Sequence, residues 1–593
     1  MRNLAILFAV VAAGCFGAHV TTEPSPDAAP SACAVADPLD PQLAPALDID
    51  ASHYAANVWM TDGMHKLGPT AQPGSDHWAD VQAAKNETES VQVHVYNSSG
   101  ASQNVSVTIG ELVDGCSGAH IDALVSREAY LDITALSDAN GTLGMTPDPL
   151  IPSRDPYAHE ARNAFPVAIP AGETRSAWID IAVPAGTPSG WYSGTITVTA
   201  DGNAIATMPV RLAVWDFTLP ATSTLRSGFG LSWDGMCVSA YGSYSACGAY
   251  PGAAGDADHA IELTHVAEVK MLLDYHVSLA GAVYAPPDPG WSHFDATYGP
   301  LMTASDELTH LWFTGDRTSS ASLSAWADHF RSMGWLDRTS VYFCDEPPNG
   351  CSFADARARA DFIHQSAPGL MTLLTTDFAH ASSNDLLDRV DILVPVVDSM
   401  ENRNTPSVRG DYDAWLAPGG KHVWWYQSCD EHESCTNGTP GPETSTWPSY
   451  MVDASPVRNR VFQWLAYMYR IEGELYYATD YCWTASCGGG SDPWTSIYAF
   501  GGNGDGTLFY PGTTDKIGGS TPVPVPSIRL ALIRDGMEDY EYLHALGAID
   551  PAAAQAAAAS FITNTYTFDN DPAKLQAARI AIGEALHRHY STR

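Results

Sequence analysis

Asp345 and Glu346 are neighbours at the end of the stretch Ser340–Pro348, SVYFCDEPP, and two carboxylates side by side are a candidate pair for general acid–base work. The residues before them are β-branched, aromatic or small, which predicts a buried strand. Pro347 and Pro348 stop its ladder, because proline has no backbone N–H to give. Acids at the C-terminal tip of a strand, followed by a helical pattern, stand where parallel α/β barrels carry their chemistry. The plain alternative is an acidic turn, so the elements around the pair must decide.

From about Thr224 the chain alternates between strand and helix patterns. Strands are expected at 224–230, 278–284, 309–315, 340–346, 370–378, 392–398, 422–429 and 475–483, with helical runs such as AIELTHVAEVKMLLD and VRNRVFQWLAYMYRI between most of them. This predicts a (β/α)8 TIM-type barrel over residues 221–547, with Asp345 and Glu346 on its fourth strand. Residues 53–220 differ: SVQVHVYN, AWIDIAVP and SGTITVTAD alternate apolar and polar residues between turn signals, which predicts an antiparallel β-sandwich. Such a domain would brace the barrel or bind glycan. Residues 548–593, Ala-rich with Leu and Ile at helical spacing, are expected to form C-terminal helices. A chain of 593 residues is too long for one core, which agrees with this multidomain division.

A net charge of −39 argues against nucleic acid and anionic membrane surfaces as partners. The 17 Trp and 26 Tyr offer flat faces on which sugar rings stack, although cores and interfaces also use them. Residues 1–14 carry one positive charge and an apolar run too short to span a bilayer, which predicts a signal peptide. Ala12-Ala13-Gly14-Cys15 is similar to a lipoprotein processing site that would acylate Cys15. A plain signal peptidase site is the competing reading. Residues 15–52, rich in Ala, Pro and Asp, read as a disordered tether. The expectation is an exported protein, lipid-anchored at the bacterial cell envelope or secreted, with no other membrane contact.

There are 11 cysteines, and setting Cys15 aside leaves an even number. Cys237 and Cys247, Cys344 and Cys351, Cys429 and Cys435, and Cys482 and Cys487 lie close in sequence, with Cys33 and Cys116 left over. Short spacings in an exported chain predict local disulfides. Metal binding at Cys429-Asp430-Glu431-His432-Glu433-Ser434-Cys435 is disfavoured, because the loop lacks a zinc spacing. The glycine-rich stretch GNGDG at 502–506 reads as a turn rather than a calcium loop. No metal or cofactor is expected.

Several motifs together resemble glycoside hydrolase family 123 over most of residues 56–547. They are NETESVQ (86–92), PDPLIP (147–152), WIDIAVPAGTPSGWYSGTITV (178–198), VWDFTLP (214–220), CDEP (344–347), VWWYQSC (423–429), GELYYATDYCW (473–483) and SIRLALIRDGMEDYEYL (527–543). The resemblance implies a β-N-acetylgalactosaminidase-like hydrolase acting on a glycan or glycoconjugate, with Asp345 and Glu346 catalytic and the substrate's own 2-acetamido group as nucleophile. The chemistry agrees. An ordinary retaining glycosidase needs two carboxyls roughly 5–5.5 Å apart across the sugar, and adjacent residues do not easily straddle a ring. Glu346 would protonate the glycosidic oxygen and later deprotonate water, while Asp345 would hold the acetamido N–H.

Substrate assistance also needs a donor to the acetamido oxygen and walls against water. Tyr426 and Tyr477 are the donor candidates and Trp425 and Trp483 the walls, each weighed against simple barrel packing. The acids of RDGMEDYEYL invite a catalytic reading, but Arg534 and Glu538 fall at i,i+4 on a helix, so pairing is the better expectation. The alternatives are a hydrolase of other glycans on the same barrel and a non-catalytic, glycan-binding surface lipoprotein. Oligomeric state is left open.

Overall fold

The computed structural model describes residues 37–47, 50–281, 290–429, 431, 435 and 447–592. The expected signal peptide, Cys15 and Cys33 lie outside the described residues. Two sheets occupy residues 58–218. One has five strands in the order Val58–Asp62, Glu87–Tyr96, Thr174–Val183, Ala123–Ile133 and Gly144–Pro152, all antiparallel. The other has seven, and its longest pair is Gly190–Ala200 against Asn203–Thr218. Alternation builds the layer between them: Val93, Ile179 and Ile181 of the first sheet meet Ile196, Val198 and Leu212 of the second.

The expected antiparallel sandwich needs one correction. Ala79–Lys85 pairs parallel with Asn203–Thr218. The cause is local: Asn86, at φ 61°, turns the chain from that strand directly into Glu87–Tyr96 of the opposite sheet. Asparagine tolerates this left-handed backbone better than most residues.

Beyond the sandwich, eight parallel strands curl into a nearly closed barrel. In chain order they are Arg226–Leu231, Leu279–Gly281, Leu311–Trp312, Thr339–Cys344, Met371–Thr375, Ile392–Val394, His422–Tyr426 and Gly473–Tyr476. Hydrogen-bonded neighbours follow one another around the sheet, except that strands two and three form no ladder among the described residues. Leu373, Ile392, Val394, Trp424 and Leu475 fill the interior, which is a packed core and not a pore. Long helices follow several strands, among them Ala257–Asp274, Ser320–Met333, Phe353–Ser366 and Pro456–Met468. Elsewhere the regular alternation breaks down: only short helices, Val397–Met400 and Arg409–Leu416, separate strands six and seven.

Helix Ile528–Ile549, capped by Ser527 accepting from Leu530 N, joins barrel to sandwich. Arg529 in its first turn is fully buried and grips Asp148 through Nε at 3.0 Å and Nη2 at 2.9 Å. Farther along, Arg460 Nε lies 2.6 Å from Asp539, and Arg534 Nη1 lies 3.1 Å from Asp180. The acid run in RDGMEDYEYL is therefore structural: Asp535 and Asp539 pair with Arg460 inside the barrel domain, and Arg534 of the same run carries the ion pair across to the sandwich. Arg534 does not take the expected i,i+4 partner: it bonds Asp180 and Asp535, while Glu538 accepts from Thr88 N at 2.9 Å. These charges are buried, so deleting one partner strands the other at a cost of about 3–5 kcal/mol.

The C-terminal helix Pro572–Ser591 lies against the sandwich strand Asn203–Thr218. Gly583 permits that approach, since a Cβ there would meet the Trp215 ring at 2.1 Å. Among the described residues, no helix is long and apolar enough to cross a membrane.

Candidate functional site

Strand four delivers Asp345 and Glu346 to the barrel mouth without containing them. It ends at Cys344, one residue before the pair, where the sequence pattern predicts a strand to 346. A tight turn follows, in which Gly350 N donates to Asp345 O at 2.8 Å and Asn349 N to Glu346 O at 2.7 Å. Glu346 takes φ 38°, a left-handed conformation costing a non-glycine residue on the order of 1–3 kcal/mol. Gly350 packs tightly inside the turn; a Cβ on it would lie 2.5 Å from the Asp345 carbonyl oxygen. The consequence is chemical. Consecutive side chains on a strand point to opposite faces, whereas in this turn both carboxylates line one cavity of about 200 Å³.

Each carboxylate is held by hydroxyl groups from neighbouring strands. Tyr342 donates to Asp345 Oδ1. Thr375, the last residue of strand five, donates to that same oxygen at 3.4 Å and accepts from the Glu346 amide at 2.9 Å. Tyr426, the last residue of strand seven, donates to Glu346 Oε1. Burial, reinforced by the facing carboxylates, pushes the Tyr342 and Tyr426 hydroxyls well above the ordinary phenol range, so both remain protonated donors.

Two loops complete the cavity: Ser428 and Glu431 after strand seven, and Tyr477, Phe500 and Asp505 after strand eight. Asp505 is fully buried and accepts from Tyr476 Oη at 3.0 Å. Its loop is fastened by Arg529, whose Nη1 donates to Gly504 O at 3.2 Å. The four expected local disulfides form. Cys344–Cys351, Cys429–Cys435 and Cys482–Cys487, with Cα separations of 5.8, 4.9 and 5.6 Å, brace the loops after strands four, seven and eight. Cys237–Cys247, at 5.7 Å, follows strand one. Cross-links in loops that frame a pocket lower the cost of ordering it around a ligand.

The structure brings Tyr426 and Tyr477 to the acid pair, but Tyr426 gives its proton to Glu346 and not to open space. It does not bring Trp425 or Trp483. Trp425 stacks on Phe462 of helix Pro456–Met468 with centroids 4.8 Å apart, outside the barrel wall. Period-two alternation requires this, because Trp424 and Tyr426 already face inward. Trp483 packs edge-on against Phe509 at 4.8 Å and donates to Phe509 O at 3.1 Å. Asp480, another strand-end acid, is buried apart from the cavity; burial pushes its carboxyl up to about 6, opposed by hydrogen bonds from Ser232. Sequence reading missed Tyr342, Thr375, Ser428, Glu431, Phe500 and Asp505. Only Tyr342, inside the strand that carries the pair, offered a signal. Among the described residues, no group of three or more His, Cys, Asp or Glu is arranged to hold a metal ion.

A nearly closed parallel barrel whose mouth presents a hydroxyl-braced acid pair in an aromatic-lined cavity has the architecture of a glycoside hydrolase. Residues 316–546 match the glycoside hydrolase 123 catalytic domain, and residues 65–200 match the glycoside hydrolase 123 N-terminal domain. The chain belongs to glycoside hydrolase family 123. Asp345 and Glu346 fall inside the matched catalytic domain. Among solved structures, a family 123 glycoside hydrolase from Clostridium perfringens, described in terms of glycolipid glycan hydrolysis, shares the fold. It superposes with a TM-score of 0.61 at 15% identity, covering 90% of this chain and 97% of that one. A family 39 glycoside hydrolase from Bacteroides cellulosilyticus is far more distant, with a TM-score of 0.30 at 10% identity over 77% of this chain and 81% of its own. A search of curated proteins gave no match.

Proposed function

We propose that this protein is a retaining β-N-acetylhexosaminidase that uses the substrate's acetamido group as nucleophile, and that β-N-acetylgalactosaminides are its substrates. The observation that carries this reading is the turn after strand four, which puts two consecutive carboxylates into one cavity with separate hydroxyl partners. Two acids so close in the chain are poorly placed to attack and protonate from opposite sides of a sugar, but well placed to divide the work of a substrate-assisted reaction. The acetamido oxygen attacks the anomeric carbon as its bond to the leaving oxygen breaks. Glu346 gives its proton to that oxygen. Asp345, fixed by Tyr342 and Thr375, accepts the acetamido N–H and stabilises the oxazolinium as positive charge grows. Water then adds to the anomeric carbon, Glu346 takes its proton, and the ring opens with the original configuration. Tyr477 is the donor to the acetamido oxygen in this scheme.

The Clostridium relative's link to glycolipid glycans supports a glycoconjugate as the natural substrate. Export with acylation at Cys15 belongs to the same proposal, supported by AAGC after the apolar run, and the mass of the mature N-terminus tests it. The function itself is tested with paired chromogenic β-GalNAc, β-GlcNAc and non-acetamido glycosides. Hydrolysis confined to the acetamido sugars, fastest on β-GalNAc, is expected; equal hydrolysis of the 2-hydroxy sugar overturns the reading.

A further inference from the structure

We infer that Phe500 and Tyr481, with Tyr477 buttressing Phe500 from the cavity side, form a platform beside the cavity that stacks a neutral pyranose on the leaving-group side of the scissile bond. The side assigned to it rests on the proposed function; the platform rests on the following geometry. Phe500, Tyr481 and Tyr477 leave 46%, 37% and 36% of their surfaces exposed, whereas most large apolar side chains among the described residues are buried or half-buried. They touch one another, with ring centroids 4.9 Å apart for Tyr481 and Phe500, 6.0 Å for Tyr477 and Phe500, and 6.4 Å for Tyr477 and Tyr481. Phe500 and Tyr477 also line the cavity that holds Glu346. An exposed contiguous aromatic patch adjoining a pocket marks a contact surface.

The backbone supplies a second, independent observation. Tyr498 pairs with Asn503 and Ala499 with Gly502, leaving Phe500-Gly501 as a two-residue hairpin loop. Both residues have positive φ, 50° and 84°, as a type I′ turn requires. That turn favours Asn-Gly or Asp-Gly, and a bulky aromatic residue at positive φ is an outlier. Strain of this kind persists only where the surroundings over-determine it, and it collects at ligand clamps. The surroundings here are firm: a Cβ on Gly502 would lie 2.7 Å from Cys435 Sγ of the Cys429–Cys435 disulfide and 2.5 Å from Met451 Sδ. The turn holds a large aromatic ring half in water where Asn would fold more easily.

A pyranose presents one face of C–H groups, and an aromatic ring covers that face while the hydroxyls stay in solvent. The cavity takes the sugar whose bond breaks, so what extends past the rim is the next residue of the glycan. Its charge follows from the same surface: Asp345, Glu346, Glu431 and Asp505 line the adjoining cavity, which disfavours an acidic sugar.

Phe500→Asn separates the platform from the fold, because Asn suits the turn; its Tm should equal or exceed the wild-type value. The readout is the ratio of kcat/KM on a β-N-acetylhexosaminyl disaccharide to kcat/KM on the matching glycosyl fluoride, whose leaving group has no ring. The ratio should fall about tenfold in Phe500→Asn and hold in Phe500→Tyr, which keeps the aromatic face. An unmoved ratio in Phe500→Asn overturns the platform, as does a loss seen only on an alkyl glycoside. If the wild type turns over neither substrate, the proposed function has failed separately. Calorimetric titration of both proteins with neutral oligosaccharides then decides: weaker binding by Phe500→Asn supports the platform, and equal affinity or no binding overturns it.

Discussion

The Thr375 hydroxyl lies 2.9 Å from the backbone nitrogen of Glu346, so the end of strand five fixes the turn that strand four leaves behind. The same oxygen lies 3.4 Å from Asp345 Oδ1 and 2.9 Å from Tyr342 Oη. One buried threonine thus sets the position of one acid's backbone and the other acid's carboxylate. Glu346 needs such support, because its left-handed backbone is unfavourable by itself.

Replacing Thr375 separates positioning from chemistry. Thr375→Val keeps the volume and removes the polar contacts to Glu346 N, Asp345 and Tyr342, leaving the Glu346 amide without its acceptor at a cost of about 1–3 kcal/mol. A displacement near 1 Å costs roughly 100-fold, so kcat should fall about 10–100-fold with KM little changed. Thr375→Ser, which keeps the oxygen, should recover most of the loss. Steady-state kinetics on a β-N-acetylhexosaminide checks this; a Ser variant as impaired as Val would mean that the methyl group matters more than the hydroxyl.

Stability should fall as pH rises from 5.5 to 8. Burial pushes the Glu128 carboxyl up to about 8, and both its oxygens lack a hydrogen-bond partner. Burial likewise raises Asp274, Asp306 and Asp480 to about 6 and Glu474 to about 7. A raised folded-state pKa favours the neutral acid, so this stabilisation is complete below the unfolded value of about 4 and is lost as pH climbs through the folded values. His94 and His310, lowered by burial to about 3, act in the opposite direction, losing stability only as pH falls below about 6.5. Glu128→Gln removes the acid with the highest of these values. Urea denaturation should show the variant gaining a few kcal/mol over wild type at pH 8, at about 1.4 kcal/mol per unit of pKa difference, and much less at pH 5.5. An equal gain at both pH values would mean that ionisation is not the cause.

The local patterns carried the architecture further than the site. Runs such as HVWWY and MTLLT form strands where their β-branched and aromatic residues predict them, and Cys429 and Cys435 are close enough in sequence to bridge. Strand ends were less accessible, because propensity continues after the ladder stops: SVYFCDE reads as one strand although the chain turns at Asp345. Which face an aromatic residue takes was half accessible. In Trp424-Trp425-Tyr426, alternation forbids Trp425 and Tyr426 from sharing a face, but not until the inward set is known. Asp505 was hidden for a different reason. Its place in the cavity depends on Arg529, 24 residues later in sequence, reaching back to Gly504 O, and no short-range pattern in GNGDG announces that contact.

The acid pair itself gives the sharpest test, because the two carboxylates have different partners. Glu346→Gln should lose about 10²–10⁴-fold on substrates with poor leaving groups, the usual contribution of a general acid. On an aryl glycoside with an activated leaving group the loss should be much smaller, since departure there needs little protonation. Asp345→Asn should impair both substrates alike. Its side-chain oxygen can still accept from Tyr342, so the turn survives, but it carries no charge to stabilise the oxazolinium. A thiazoline mimic of the cyclised sugar should inhibit the wild type strongly and Asp345→Asn weakly, because a transition-state-like ligand depends on the interaction removed. Parallel losses in both variants across all leaving groups, with thiazoline inhibition unchanged, would assign the proton to a group other than Glu346. The acetamido group would then no longer be the nucleophile, and a carboxylate from another strand end would have to supply it.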